Sequence, residues 1–308
     1  MSVPRRTAHL PTRYARLAAV VLSLATSALA AQEAQPDVFL APLIRAGDRV
    51  QLGMVRNVTS RPGYDNQPSF SVDGRSLYFT STREDAQADI YRFDIASGRT
   101  DRVTRTALES EYSAVEVPGG DAISVIRVER DSTQRLWRLP LSAGDETVIL
   151  PSLKPVGYHA WADADRVVMF VLGSPPALVL GQLSTGAIDT IVFNVGRSLH
   201  RIPGSRRVSF VSKAYESAAW VMSLDVDTRA VQPLTRLPDK TEDYAWLPDG
   251  RLVAGSGSQL LVCDLTRQAQ WTPFADLAAD GVSGITRLAV SPSGDRLAIV
   301  GIPKASAP

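Results

Sequence analysis

A single cysteine, Cys263, stands in 308 residues, so the chain can build neither a disulfide framework nor a multi-cysteine metal centre. Histidine is almost as scarce. There are three, and only His159 and His200 lie beyond the N-terminal leader described below. Charge of one sign is also lacking: 33 Lys and Arg against 32 Asp and Glu leave +1, which excludes a broad electrostatic footprint for nucleic acid or an anionic membrane. No H-E-x-x-H, C-x-x-C, G-x-S-x-G or G-x-x-x-x-G-K-[ST] occurs, which removes the common zinc, nucleophile-elbow and P-loop chemistries. Gly255-Ser256-Gly257-Ser258 has the wrong order for an elbow and reads as a hairpin. Long apolar runs are confined to one place, near the N-terminus.

That run, residues 17–29, holds 13 residues, too few to span a bilayer as a helix. Arg5, Arg6, Arg13 and Arg16 precede it and Ala28-Leu29-Ala30 follows it, the order of a cleaved export signal. Cleavage is expected after Ala30, with residues 31–36 as a short linker. The mature protein is then expected in the periplasm or secreted, without membrane insertion. With 44% hydrophobic and 21% charged residues, the composition is that of a globular protein, and 21 Gly and 20 Pro favour many turns over long helices.

What the chain does have is a repeat. Ser71-Val72-Asp73-Gly74-Arg75-Ser76-Leu77 joins two β-rich segments through an Asp-Gly turn, and the arrangement returns at Leu247-Pro248-Asp249-Gly250 and Ser291-Pro292-Ser293-Gly294. Degenerate copies lie at Val117-Pro118-Gly119-Gly120, at Ala162 to Arg166 and at Ile202 to Arg206. The anchor positions 74, 120, 165, 205, 250 and 294 are spaced by 46, 45, 40, 45 and 44. Three residues after each anchor the chain reads Leu77, Ile123, Val168, Val208, Val253 and Leu297, apolar in all six. Period 2 within each copy and about 44 between copies implies strands repeated six times. Third strands follow near residues 89–95, 136–141, 178–183, 221–226 and 260–265, and short fourth strands such as Arg102-Val103-Thr104 come next.

Four strands per unit predicts an all-β, six-bladed β-propeller with antiparallel blades over residues 37–302, followed by a tail at 303–308. The sixth copy has only 14 residues after Gly294 and room for two strands. The missing two are expected at the other end of the chain. Asp37-Val38-Phe39 fits the third-strand pattern of Asp89-Ile90-Tyr91, and Asn57-Val58-Thr59 fits the fourth-strand pattern of Val103-Thr104. N-terminal strands therefore complete the last blade and leave no open edge.

The segment from Asp65 to Ser81, with Pro68-Ser69-Phe70-Ser71-Val72-Asp73-Gly74 at its centre, resembles the WD40-like repeat of TolB-type propellers, whose core pattern is P-x-[WF]-S-P-D-G. Val72 departs from the usual proline, and Ser291-Pro292-Ser293-Gly294 keeps it. The resemblance implies an exported propeller that binds a protein or peptide of the cell envelope. It carries no assignment of function by itself, because one fold hosts many functions.

Candidate site residues come from the segments leading into the six innermost strands, which a propeller gathers around one mouth of its channel. They are Tyr64, Asp65, Asn66, Glu111, Tyr112, Tyr158, Glu242, Asp243 and Tyr244, with His159 and His200 on the inner strands themselves. Tyrosine offers a large amphipathic contact area, and the acids favour a basic partner segment or a cation. The competing reading packs Tyr158 and Tyr244 between blades and leaves the acids as solvated loop residues. For the histidines the alternatives are a shared ligand or metal and hydrogen bonds between blades. Asp225-Val226-Asp227 reads as a solvated turn rather than a calcium loop, and Cys263 as a buried small apolar residue. The function expected is a monomeric binding module without cofactor, metal or nucleic-acid partner. Its alternative is a lactonase or glycan-cleaving hydrolase with a cation-assisted site, using Glu111 with Asp65 or Glu242 as its carboxylate pair.

Overall fold

The computed structural model describes residues 35–46, 49–84, 87–215 and 218–304. The expected leader and its cleavage site, residues 31–34 of the linker and residues 305–308 lie outside them. Among the described residues no helix is long and apolar enough to cross a membrane.

Six antiparallel sheets form the blades of a propeller. Blade 1 shows the plan: Asp65–Phe70 is innermost, then Ser76–Ser81, Asp89–Asp94 and Thr100–Arg102 step outward. The innermost strands of blades 2 to 6 are Ser110–Glu116, Val156–Trp161, Val195–Arg201, Tyr244–Trp246 and Leu288–Val290. Each neighbours the next around the ring.

The Asp-Gly turns bend where the repeat places them. In blade 1 the Ser71 carbonyl accepts the Gly74 amide at 2.9 Å while Ser71 Oγ accepts the Ser76 amide at 2.9 Å. Blade 6 repeats this with Ser291, Gly294 at 2.8 Å and Arg296 at 3.0 Å. Both glycines hold φ near +70°, at +70° and +68°, where a Cβ is strained.

The last blade closes as the sequence predicts. Leu288–Val290 and Arg296–Pro303 supply its inner half, Asp37–Ala46 pairs with the latter, and Arg56–Asn57 lies outside. The first and last residues of this closure repeat blade 1 in their side chains. Thr59 Oγ1 accepts the Val38 amide at 3.0 Å and donates to Asp37 Oδ1 at 3.2 Å. In blade 1, Thr104 Oγ1 accepts the Ile90 amide at 2.8 Å and donates to Asp89 Oδ1 at 3.2 Å. Two short strands, Arg49–Leu52 and Val282–Ser283, extend the blade beyond the four-strand plan.

Period 2 sorts the core into layers between blades. Phe39, Leu43, Leu297 and Ile299 pack against Ala245, Val253 and Leu260 of blade 5. Their sequence neighbours Val38, Leu40, Ala298 and Val300 pack against Leu77, Phe79 and Phe93 of blade 1. Both faces of each middle strand are therefore buried, which explains why these strands read as apolar runs rather than alternating ones.

Candidate functional site

All six innermost strands line an axial cavity of roughly 840 Å³. Its wall is built by a device that repeats between blades. Trp161 Nε1 donates to Ser124 Oγ of the preceding blade at 2.9 Å, and Trp246 Nε1 donates to Ser209 Oγ of its preceding blade at 2.8 Å. Each serine serves a second group from the same neighbouring strand: His159 Nε2 shares a 2.7 Å hydrogen bond with Ser124, and Tyr244 Oη donates to Ser209 at 2.8 Å. Both tryptophans sit four residues before the repeat anchor and both serines four residues after it. The sequence therefore carries this signal, in the [WF] column that the resemblance already marks.

The histidines are held apart. His159 bonds between blades, whereas His200 Nε2 contacts Ser198 Oγ of its own strand at 3.1 Å and meets the Tyr244 ring edge-on at 4.9 Å. Among the described residues no three His, Cys, Asp or Glu side chains gather as metal ligands. Burial drags the His159 pKa down to about 3, and burial together with the Arg287 charge draws His200 down to about 4. Both imidazoles are neutral in the fold near pH 7. The unfolded chain then binds their protons first, below its ordinary 6.5, so stability present above that value drains away as pH falls toward the folded value. For His159 alone this costs about 2 kcal/mol between pH 6.5 and 5, at about 1.36 kcal/mol per pH unit. Urea unfolding of the parent and His159→Gln should show the gap between them narrowing by that amount on acidification. Parallel pH profiles would mean that the imidazole is not held neutral.

At the mouth where the inner strands begin, four side chains form a chain across the axis. Arg287 of blade 6 donates to the Tyr158 Oη of blade 3, on the opposite side of the ring, at 2.9 Å. Its guanidinium lies over the Tyr158 ring at 4.9 Å. Asp243 of blade 5 pairs with Arg287 at 3.7 Å and with Arg197 of blade 4 at 2.9 Å. Beside them, Glu242 accepts the Arg197 amide at 2.8 Å and pairs with Lys213 at 2.9 Å. Tyr64 adjoins the group: burial raises its pKa, and the charges of Arg287 and Arg197 pull against that rise. At the other end, turn residues Pro118, Pro203, Pro248 and Pro292 rim the cavity together with Val72, which is 56% exposed.

Of the candidate residues, Tyr158, His159, His200, Asp243 and Tyr244 line the cavity. Asp65 and Glu111 do not. Both are fully buried, Asp65 against Arg61 at 2.8 Å and Ser81 at 2.5 Å, Glu111 against Arg127 at 2.9 Å and Thr106 at 2.5 Å. The expected acidic rim is therefore corrected: these carboxylates are cores of ion pairs, with burial pushing both pKa values up. Glu111, Asp65 and Glu242 each have their own cationic partner, and the structure does not present them as one carboxylate pair. Tyr112 packs in the apolar layer between blades 2 and 3, and Asn66 Oδ1 accepts the Gln67 amide at 2.7 Å where the innermost strand of blade 1 shifts register. Asp225 accepts the Asp227 and Thr228 amides at 3.0 and 2.9 Å, a turn as expected, and Cys263 is fully buried. Arg197 and Arg287, which dominate the mouth, went unmarked in the sequence.

Comparison of this ring with solved structures places it among known propellers. The putative TolB of Agrobacterium tumefaciens superposes with a TM-score of 0.69 at 15% identity, over 89% of this chain and 100% of that one. The fold is that of the TolB propellers. TolB from Acinetobacter baumannii gives 0.58 at 14% identity over 87% of this chain, which spans 64% of that protein. An oligogalacturonate lyase from Vibrio parahaemolyticus gives 0.52 at 12% identity over 88% and 99%. At these identities the likeness is one of fold alone. No protein-family model and no curated protein matches the sequence.

Proposed function

We propose that the protein is an exported binding module whose axial cavity receives an extended segment of a partner protein or peptide at the Tyr158–Arg287 mouth. The observation that carries this reading is the cavity itself. It is open, walled by Phe70, Tyr158 and the edges of Trp161 and Trp246, and provided at one mouth with a few convergent polar groups, the make-up of a recognition site. Rigid inner strands hold those groups, so little ordering cost falls on the protein when a ligand enters. The likeness to TolB propellers supports a binding role in the envelope, and the export-signal pattern of residues 5–30 supports the compartment.

The test is site-specific photo-crosslinking in the host cell. A benzophenone side chain in place of Tyr158 should yield a protein adduct, and one in place of Thr190 on the outer strand Ala187–Phe193 should not. Adducts confined to Thr190 would sink the reading. If Tyr158 gives no protein adduct while a divalent ion and an oligosaccharide raise the melting temperature together, the cation-assisted hydrolase takes its place.

A further inference from the structure

The charge at the mouth does not balance. Three cations, Arg197, Arg287 and Lys213, meet two carboxylates there, Asp243 and Glu242, which leaves one positive charge in excess. Over the whole cavity wall the count is three arginines, Arg197, Arg201 and Arg287, against Asp243 and Glu116, again one positive charge in excess. The two histidines on the wall are neutral and cannot offset or add to it. Arg287 is only 15% exposed, so its charge is largely removed from water. Its short contact is to a neutral phenol, at 2.9 Å, and its contact to Asp243 is the long one, at 3.7 Å. Arg197 Nε is buried with no hydrogen-bond partner among the described residues. A part-buried cation with unused donors is costly unless an anion completes it.

We infer that Arg197 and Arg287 form a site for a single carboxylate, borne on an otherwise uncharged and largely apolar ligand. This deepens the binding reading above and rests on it: the segment received at the mouth enters by its C-terminal carboxylate. Guanidinium forks match carboxylate geometry, and Asp243, between the same two arginines, already shows that they converge on one. One excess charge suits a carboxylate better than a phosphate monoester, which carries about −1.5 to −2 near pH 7. Beyond the arginines the wall offers half-buried Phe70, Tyr158, Ala289 and Val290, with the edges of Trp161 and Trp246, suited to an apolar body.

The probes are N-acetyl-L-phenylalanine and its amide, which differ only in the charge, titrated into the full chain by calorimetry and by thermal shift. The acid should bind at least tenfold more tightly than the amide, and added salt should weaken it. Arg287→Gln should erase the difference, while Arg287→Lys, which keeps the charge without the fork, should retain part of it. Equal binding of acid and amide, or no binding of the acid, overturns the inference, and this wild-type comparison holds even if a variant fails to fold. The two readings fail separately. A Tyr158 adduct mapping to an internal segment of a partner overturns the C-terminal carboxylate and leaves the binding module standing. Binding of the acid with no protein adduct supports the carboxylate site and removes the protein partner.

Discussion

A chain that begins at Ser60 will not form a cooperative monomer. Removing residues 37–59 takes away Asp37–Ala46 and Arg56–Asn57, the outer half of the last blade. Val38, Phe39, Leu40 and Leu43 go with them, all at most 6% exposed. Each is worth about 1.5–3 kcal/mol of burial. Together they rival the total stability of an ordinary domain, about 5–15 kcal/mol. The loss does not stop there. Arg296–Pro303 is left with an unpaired edge, and the layers against blades 1 and 5 are both opened, since the strand packs on each with alternate residues. Calorimetry and light scattering on the truncated protein should show no native melting transition and a rise in soluble aggregate. A synthetic peptide of residues 35–59 added during refolding should restore the monomer. If the truncated protein melted at the parental temperature, the closure would have no energetic weight.

Arg127→Met should be the most damaging single substitution in the ion-pair network. The Arg127 side chain is 3% exposed and holds Glu111 at 2.9 Å, Glu146 at 2.8 Å and Glu109 at 3.7 Å, with its guanidinium 4.5 Å from the Trp137 ring centre. Methionine keeps the bulk and removes the charge, so Glu111 stays fully buried with only the Thr106 and Thr104 hydroxyls beside it and no cation. Breaking a buried pair on one side costs about 3–5 kcal/mol, and for a chain of this size that lowers Tm by roughly 10 °C. Burial already pushes the Glu111 pKa up, and without the guanidinium it rises further. A carboxyl whose folded pKa exceeds its unfolded value regains stability as pH falls through the folded value, so the deficit should shrink toward pH 5. Adding Glu111→Gln should recover part of it at pH 7. A variant as stable as the parent at pH 7 would show that water, not Arg127, satisfies the carboxylate.

The repeat makes most of the architecture legible in the sequence. An apolar column three residues after each anchor, returning about every 44 residues, requires buried second strands, and a sixth copy cut short by the chain end requires strands from the other end. Both inferences rest on short-range patterns that survive in degenerate copies, such as the Asp37/Thr59 and Asp89/Thr104 pairs. The candidate site was less legible. Four of the innermost strands shift register near the mouth, between Asn66 and Ser69, Tyr112 and Val115, Val156 and Tyr158, and Val195 and Leu199. An irregularity of that kind breaks the alternation of faces, so period 2 no longer tells which side a residue points to. Asp65 and Glu111 look like rim acids when placed in the segments leading into the inner strands; both lie inside those strands, Asp65–Phe70 and Ser110–Glu116, and are buried ion-pair partners.

By itself the sequence determined the all-β class, the six blades, the Asp-Gly turns and the closure by residues 37–59, because strand periodicity and turn chemistry are local. Only the tertiary structure decided which charges meet. Arg287 and Tyr158 lie 129 residues apart and belong to opposite blades, and they touch because both inner strands begin at the same mouth of the ring. No local pattern encodes that meeting. The two acids withdrawn into ion pairs and the two arginines left at the mouth reverse the charge expected there, and ring geometry alone sets that outcome.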